Sequence, residues 1–173
     1  DGDIAVVTFD LPGEKANKLS TPVMMEFKAL LEQLNRGPAK AAVFVSGKEK
    51  IYIAGADIEE IKNLRTRETI DAAVKGGQDI MNLVEDLKIP AIAAVHGACL
   101  GGGCEFIMAC DYRIASEDPA TRIGLPETML GILPGFGGCV RMPRIIGLQA
   151  SLDIILAGKS VAAKKAQKSG LVD

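Results

Sequence analysis

The sequence predicts an α/β fold, and three observations carry that reading. Short β-rich or wholly apolar runs recur along the chain, at Asp3 to Phe9, Ala41 to Ser46, Ile51 to Ala54 and Pro90 to Val95. Between them lie segments with apolar residues at helical spacing, such as Val23, Phe27, Leu30, Leu31 and Leu34. Glycine is abundant at 19 residues while aromatics make up only 4%, a balance suited to tight turns and close backbone packing. The resulting order of strand, helix, strand, strand, helix, then strand and helix again, is that of α/β domains.

Asp3 to Phe9 alternates and reads as a strand. Ser20-Thr21-Pro22 marks a helix start, with a hydroxyl at the cap and proline at the first helical position. Asn35-Arg36-Gly37-Pro38 ends that helix, and Gly47 to Lys50 is a turn between two strands. Asp57 opens a short helix, and a longer one covers Ile70 to Leu87. A helix begins at Gly102 or Gly103 and runs through Met108. Tyr112 to Ala115 and Thr121 to Ile123 are short strands, and further helices lie near Cys139 to Ile146 and Ala150 to Leu156. Ser160 is expected to cap a last helix that Gly170 ends. No internal linker or repeat divides the chain, so one domain is expected over 1–173.

With 173 residues and 48% hydrophobic content, the chain is long enough to bury a core. A net charge of -2 argues against nucleic acid as a main partner. The longest apolar run, Ile89 to Leu100, is broken by Pro90, His96 and Gly97; it falls short of the roughly 18 residues of a membrane span. No basic-then-apolar leader is seen, and the abrupt ends at Asp1 and Asp173 suggest a piece of a longer protein. Cys99, Cys104, Cys110 and Cys139 fit no zinc or redox spacing and are expected to be free thiols.

Several chemistries are excluded by pattern. His96 is the only histidine and ends an apolar strand, which makes it structural or substrate-lining rather than a general base, and a zinc site is not expected. Gly158-Lys159-Ser160 fails as a P-loop because Asp153 stands where the leading glycine belongs. The dinucleotide fingerprint fails at Val140 and at Phe106.

Two junctions remain. In Ala54-Gly55-Ala56-Asp57 and in Leu100-Gly101-Gly102-Gly103-Cys104-Glu105, a strand runs into a turn and a helix. Backbone N–H groups there have no ladder partner, and the helix dipole adds positive potential. Side by side, two such junctions aim two N–H groups at one oxygen, an oxyanion hole made of backbone. Glu105 lies in the first turn beyond the second junction; Glu127 follows Pro126 in a mostly apolar loop, where a raised pKa is expected. Taken singly, each glutamate reads equally well as a dipole partner or a turn cap, and Asp57 as a helix cap.

The stretches Ala54 to Ile58, Ile92 to Glu105, Cys110 to Ala115, Gly124 to Arg144 and Gly158 to Val172 together resemble the enoyl-CoA hydratase/isomerase (crotonase) superfamily. Asn17-Lys18-Leu19, Ile123-Gly124-Leu125-Pro126-Glu127-Thr128 and Pro134-Gly135-Phe136-Gly137-Gly138 resemble most the N-terminal hydratase part of multifunctional fatty-acid oxidation α subunits. The resemblance implies a spiral of repeated strand–strand–helix units. It implies oxyanion donors at Ala56 and Gly102, acid/base carboxyls at Glu105 and Glu127, and a substrate bordered by Ala54, Asp57, Ile58 and Gly135. The implied activity is hydration of trans-2-enoyl-CoA in β-oxidation without a metal or redox cofactor, coenzyme A entering only as part of the thioester. The rivals are shift of a 3-enoyl double bond to the 2-position, and a CoA-ester binding or assembly module inactive in truncated form. A trimer-based homo-oligomer or a thiolase subunit is the implied partner. The compartment is the cytoplasm in a bacterium or the mitochondrial matrix in a eukaryote. The family's C-terminal helices, and any dehydrogenase part, have no counterpart in this sequence.

Overall fold

The computed structural model describes residues 2–173. In chain order they form β1 (Ile4–Phe9), α1 (Thr21–Arg36), β2 (Ala41–Ser46), β3 (Ile51–Ile53), α2 (Ile58–Asn63) and α3 (Arg67–Glu85). Then follow β4 (Ala91–Val95), β5 (Ala98–Leu100), α4 (Gly102–Ala109), β6 (Tyr112–Ala115) and β7 (Arg122–Gly124). A 3-10 turn (Glu127–Leu130), α5 (Gly138–Ile146), α6 (Leu148–Ile155), β8 (Ser160–Ala162) and α7 (Ala163–Ser169) complete the chain.

The strands build two four-stranded sheets. One has the order β1-β2-β4-β6 and is parallel throughout. The other has the order β3-β5-β7-β8, parallel except for the antiparallel edge strand β8. Successive strands alternate between the sheets, β2 then β3, β4 then β5, β6 then β7, with helical segments after each pair. The chain therefore winds as repeated strand–strand–helix turns, the spiral of the crotonase fold.

Gly97 makes one of these sheet switches. Its φ is +64°, and a Cβ there would fall 2.2 Å from the Lys50 carbonyl, so only glycine permits both the turn and the approach. It splits the apolar run into β4 and β5; the sequence reading gives the first strand but does not separate the second. The helix expected from Ile70 begins earlier, at Arg67, because Thr66 and Thr69 form a reciprocal cap ahead of the apolar stripe. Two expected caps are corrected. The Ser20 side chain makes no cap bond; the Thr21 N–H and hydroxyl instead donate to the Glu60 carboxylate. Ser160 opens β8, and α7 starts at Ala163. A Cβ on Gly124 would lie 2.1 Å from the Lys159 carbonyl oxygen, so that glycine lets the Ser160 segment pair with β7 rather than turn into a helix.

The core centres on α4, in which all eight residues are buried. Phe9, Phe27, Phe44 and Phe106 pack edge to face with ring centroids 5.2–5.9 Å apart, contacts worth about 0.5–1.5 kcal/mol each beyond their burial. Asn17, also buried, ties three strands together. Its Nδ2 donates to the Phe9 and Tyr52 carbonyls and to Ser46 Oγ, while its Oδ1 accepts from the Leu11 N–H. That brace holds the next residues against the end of β3, where the Leu19 N–H donates to the Gly55 carbonyl at 2.8 Å.

Candidate active site

The parallel pairing of β3 with β5 puts the two strand-to-helix junctions next to each other. After β3 the chain turns at Gly55, with φ +117°, and reaches Ala56; after β5 it turns at Gly101, with φ +53°, and reaches Gly102. A Cβ on Gly55 would lie 3.7 Å from the Gly102 nitrogen, and one on Gly102 would lie 3.5 Å from the Ala56 nitrogen. Among the described residues, neither the Ala56 N–H nor the Gly102 N–H has a hydrogen-bond partner. Both residues line one cavity of about 710 Å³. Buried backbone donors are nearly always paired; the unpaired N–H of buried Gly102 and that of half-buried Ala56, both on the cavity wall, are available to a ligand oxygen.

Both glutamates open into the same cavity. Glu105 projects from the first turn of α4 and is 2% exposed. Its Oε1 accepts from the Phe136 N–H at 2.8 Å and the Gly138 N–H at 2.7 Å. Burial raises its pKa to about 7, with the nearby Glu127 charge adding to the rise; the Gly138 and Phe136 N–H bonds and the Arg141 charge oppose it. Glu127, 8% exposed, opens the 3-10 turn that follows β7. Its Oε2 is buried and has no hydrogen-bond partner, while its Oε1 lies 3.0 Å from where a Cβ on Gly101 would be. Burial raises the Glu127 pKa as well. The Glu127 charge favours a proton on Glu105, since two like charges in one cavity repel.

The rest of the wall is apolar. Ile58 and Ile61 come from α2, Ile70 and Val74 from α3, and Leu130 and Leu133 from the segment after Glu127. A cavity with an apolar wall and a few convergent polar groups is the usual form of a small-molecule site. This one can seat a carbonyl oxygen against two N–H groups in the cavity that both carboxyls line.

The sequence-predicted residues Ala54, Ala56, Ile58, Gly102, Glu105, Glu127 and Gly135 all line this cavity. Asp57 does not: its carboxylate accepts from the Glu59 N–H at 2.9 Å and pairs with Lys18 at 3.1 Å, so it caps α2. His96 also lies elsewhere, with Nε2 2.6 Å from the Lys48 carbonyl oxygen. The four cysteines are free thiols. Among the described residues, no group of three or more His, Cys, Asp or Glu side chains is placed to hold a metal ion. The sequence reading misses Phe136 and Gly138, whose N–H groups hold Glu105, and Arg141 behind them. The glycine pair at 137–138 is the visible signal, since a Cβ on Gly138 would lie only 3.0 Å from Glu105 Oε1 and crowd its carboxylate.

A spiral of strand–strand–helix turns, with two strand-to-helix junctions side by side at one cavity, is the architecture of a crotonase-type protein. The enoyl-CoA hydratase/isomerase family model matches residues 1–173, and the chain belongs to that family. It is similar to a solved enoyl-CoA hydratase of Bacillus anthracis, at 36% identity and TM-score 0.90, over 98% of this chain and 65% of that one. Its similarity to one from Geobacillus kaustophilus is 29% with TM-score 0.92, over 98% of this chain and 63% of that one. An enoyl-CoA hydratase of Thermoplasma volcanium gives 27% and 0.93, over the whole of this chain and 68% of that one. The chain thus spans about two thirds of the length of these relatives.

Proposed function

We propose that this chain hydrates trans-2-enoyl-CoA thioesters. The observation that carries the reading is the meeting of two buried carboxyls, Glu105 and Glu127, beside two unpartnered N–H groups in one apolar cavity. The thioester oxygen sits between the Ala56 and Gly102 N–H groups, where charge gathers as water adds to C3. Each such donor is worth about 3–4 kcal/mol when it acts on developing charge. Glu105 takes the proton of the attacking water as its oxygen bonds to C3, and the double-bond electrons move onto the thioester oxygen. Glu127 gives its proton to C2 as the enolate collapses. Each carboxyl then holds the other protonation state, and proton exchange with solvent resets the pair.

The local geometry supports this division. The two N–H bonds to Glu105 favour its ionised form, the form a base needs. The unpartnered Glu127 Oε2 suits a neutral carboxyl with its O–H free to meet the substrate. The apolar wall accepts the acyl chain at about 0.8 kcal/mol per buried methylene. The sequence match to the hydratase part of a multifunctional α subunit supports a place in β-oxidation, with a homo-oligomer or a thiolase subunit as partner.

The test is loss of enoyl absorbance on crotonyl-CoA, with a 3-enoyl-CoA run beside it. Hydration of the first is expected. Shift of the double bond in the second without any hydration of the first would replace this reading with an isomerase; activity on neither would leave a binding module.

A further inference from the structure

The middle of α3 contains Gly76 and Gly77, an unusual pair in a helix interior, where each glycine costs about 1 kcal/mol against alanine. Nothing in the structure explains Gly76. Gly77 has a clear reason: a Cβ there would fall 2.1 Å from Phe136 Cε1. The Phe136 ring rests directly on the helix backbone. Another edge of the same ring lies 3.4 Å from the Cβ position of Gly102, so the ring is wedged between α3 and the oxyanion junction.

The turn from Pro134 to Gly138 is gripped from α3 at further points. Gln78 Nε2 donates to the Gly135 carbonyl at 2.8 Å. Arg141, 9% exposed, reaches back from α5. Its Nη1 donates to the Phe136 carbonyl at 3.2 Å, its Nη2 to Asn82 Oδ1 at 2.8 Å and to Glu85 Oε2 at 2.7 Å, and its Nε to Glu85 Oε2 at 3.2 Å. Residues 78, 82 and 85 share one helix face by spacing. The backbone of Phe136 is therefore held on both sides, its C=O by Arg141 and its N–H by Glu105. Arg141 itself is not among the residues that line the cavity.

We propose that Arg141 is a positioning residue for Glu105: by tying the Phe136 carbonyl to Asn82 and Glu85 of α3, it fixes the turn whose N–H groups hold the Glu105 carboxylate, and Gly77 is the socket that admits the Phe136 ring. The role of Glu105 as a base rests on the function proposed above; the geometry of the grip does not. A planar guanidinium fork serves three acceptors on two elements at once, which an ammonium on a flexible stem does not do. With the fork gone, the turn loosens and Glu105 loses N–H donors. Burial and the facing Glu127 charge then favour the protonated carboxyl. The remaining titratable neighbours, the Cys104 and Cys139 thiols, are themselves raised and stay neutral.

The experiment compares Arg141→Lys, Arg141→Met and Gly77→Ala with the unsubstituted chain in two readouts. One is kcat and KM on crotonyl-CoA. The other is a carbon-13 NMR titration of the Glu105 carboxyl without substrate, its signal assigned by its loss in Glu105→Gln. A misplacement of about 1 Å costs on the order of 100-fold in rate, so kcat is expected to fall by about that factor in all three, with KM nearly unchanged. The Glu105 titration is expected to move to higher pH in all three. Arg141→Lys keeps the charge, so an unshifted titration and normal kcat in that variant would mean that charge alone matters and would overturn the proposal. Lower thermal stability in all three with an unmoved Glu105 titration would also overturn it, as the mark of a merely structural residue. If the unsubstituted chain proved inactive on crotonyl-CoA, the hydratase reading would fall while the titration still decided the grip.

Discussion

The two carboxyls of the cavity sit on opposite kinds of support. Glu105 rises from the fully buried helix α4, and its Oε1 is fixed by two backbone N–H groups. Glu127 stands on a single 3-10 turn, with Oε2 buried and without a partner. Burial raises both pKa values; Glu105 is pulled back toward the charged form by two N–H donors from the Phe136 turn and by the Arg141 charge, Glu127 only by the N–H of its own residue. On the proposed function, this difference prepares a base and an acid from the same side chain in one cavity. More hydrogen bonds to one carboxylate stabilise its anion, and a buried oxygen without a partner favours the neutral acid.

The strongest way to break this comparison is to remove each carboxyl's proton chemistry in turn. Glu105→Gln and Glu127→Gln should each lower crotonyl-CoA hydration by about 100- to 10,000-fold while circular dichroism stays unchanged. Near-normal turnover in either variant would show that residue to be a bystander. The proposed oxyanion donors come next. Gly102 is the first residue of α4, a position where proline is tolerated. Gly102→Pro should therefore remove the N–H without unfolding the helix, lowering kcat by about 100- to 1,000-fold. A folded Gly102→Pro protein with full activity would take Gly102 out of the site.

The comparison also has a stability side. The Glu105 pKa in the folded protein, about 7, lies above its ordinary value of 4.5. The folded state therefore holds a proton that the unfolded chain releases, and stability falls as pH rises from 4.5 to 7. At pH 8 the cost reaches on the order of 3–4 kcal/mol, at about 1.4 kcal/mol per pH unit. Glu105→Gln keeps an acceptor for both N–H groups and removes the charge. It should raise Tm by several degrees at pH 8 and change it little at pH 4.5. Equal effects at both pH values would contradict the buried titration. The smallest effect is expected at Asp57, whose carboxylate caps α2 outside the cavity. Asp57→Asn should leave kcat within about twofold and cost about 0.5–1 kcal/mol of stability at most, as read by chemical denaturation.

Much of this was legible in the sequence, and the exceptions share a cause. Local signals place the strands at 41–46 and 112–115, the Gly170 helix end and both strand-to-glycine-to-helix junctions, because they depend on neighbours a few residues away. The meeting of Glu105 with Glu127 became legible only through the family resemblance, since sheet pairing between β5 and β7 decides it. The Phe136 and Gly138 donors, the Arg141 fork and the split between β4 and β5 were not legible. Each follows from segments far apart in the chain coming into contact, backbone on backbone at Gly97 and Lys50 or ring on backbone at Phe136 and Gly77, and no periodicity records such contacts. Ser160 misled for the same reason: its hydroxyl signals a cap, but the glycine at 124 brings a strand partner.

The division of labour between the two carboxyls is tested most directly by following deuterium entry at C2 of butyryl-CoA in D2O. A saturated thioester cannot add water, so exchange asks only for the oxyanion donors and the group that moves the C2 proton. The account predicts exchange in the unsubstituted chain, exchange retained in Glu105→Gln and exchange lost in Glu127→Gln. Exchange that survives in Glu127→Gln but disappears in Glu105→Gln would contradict it.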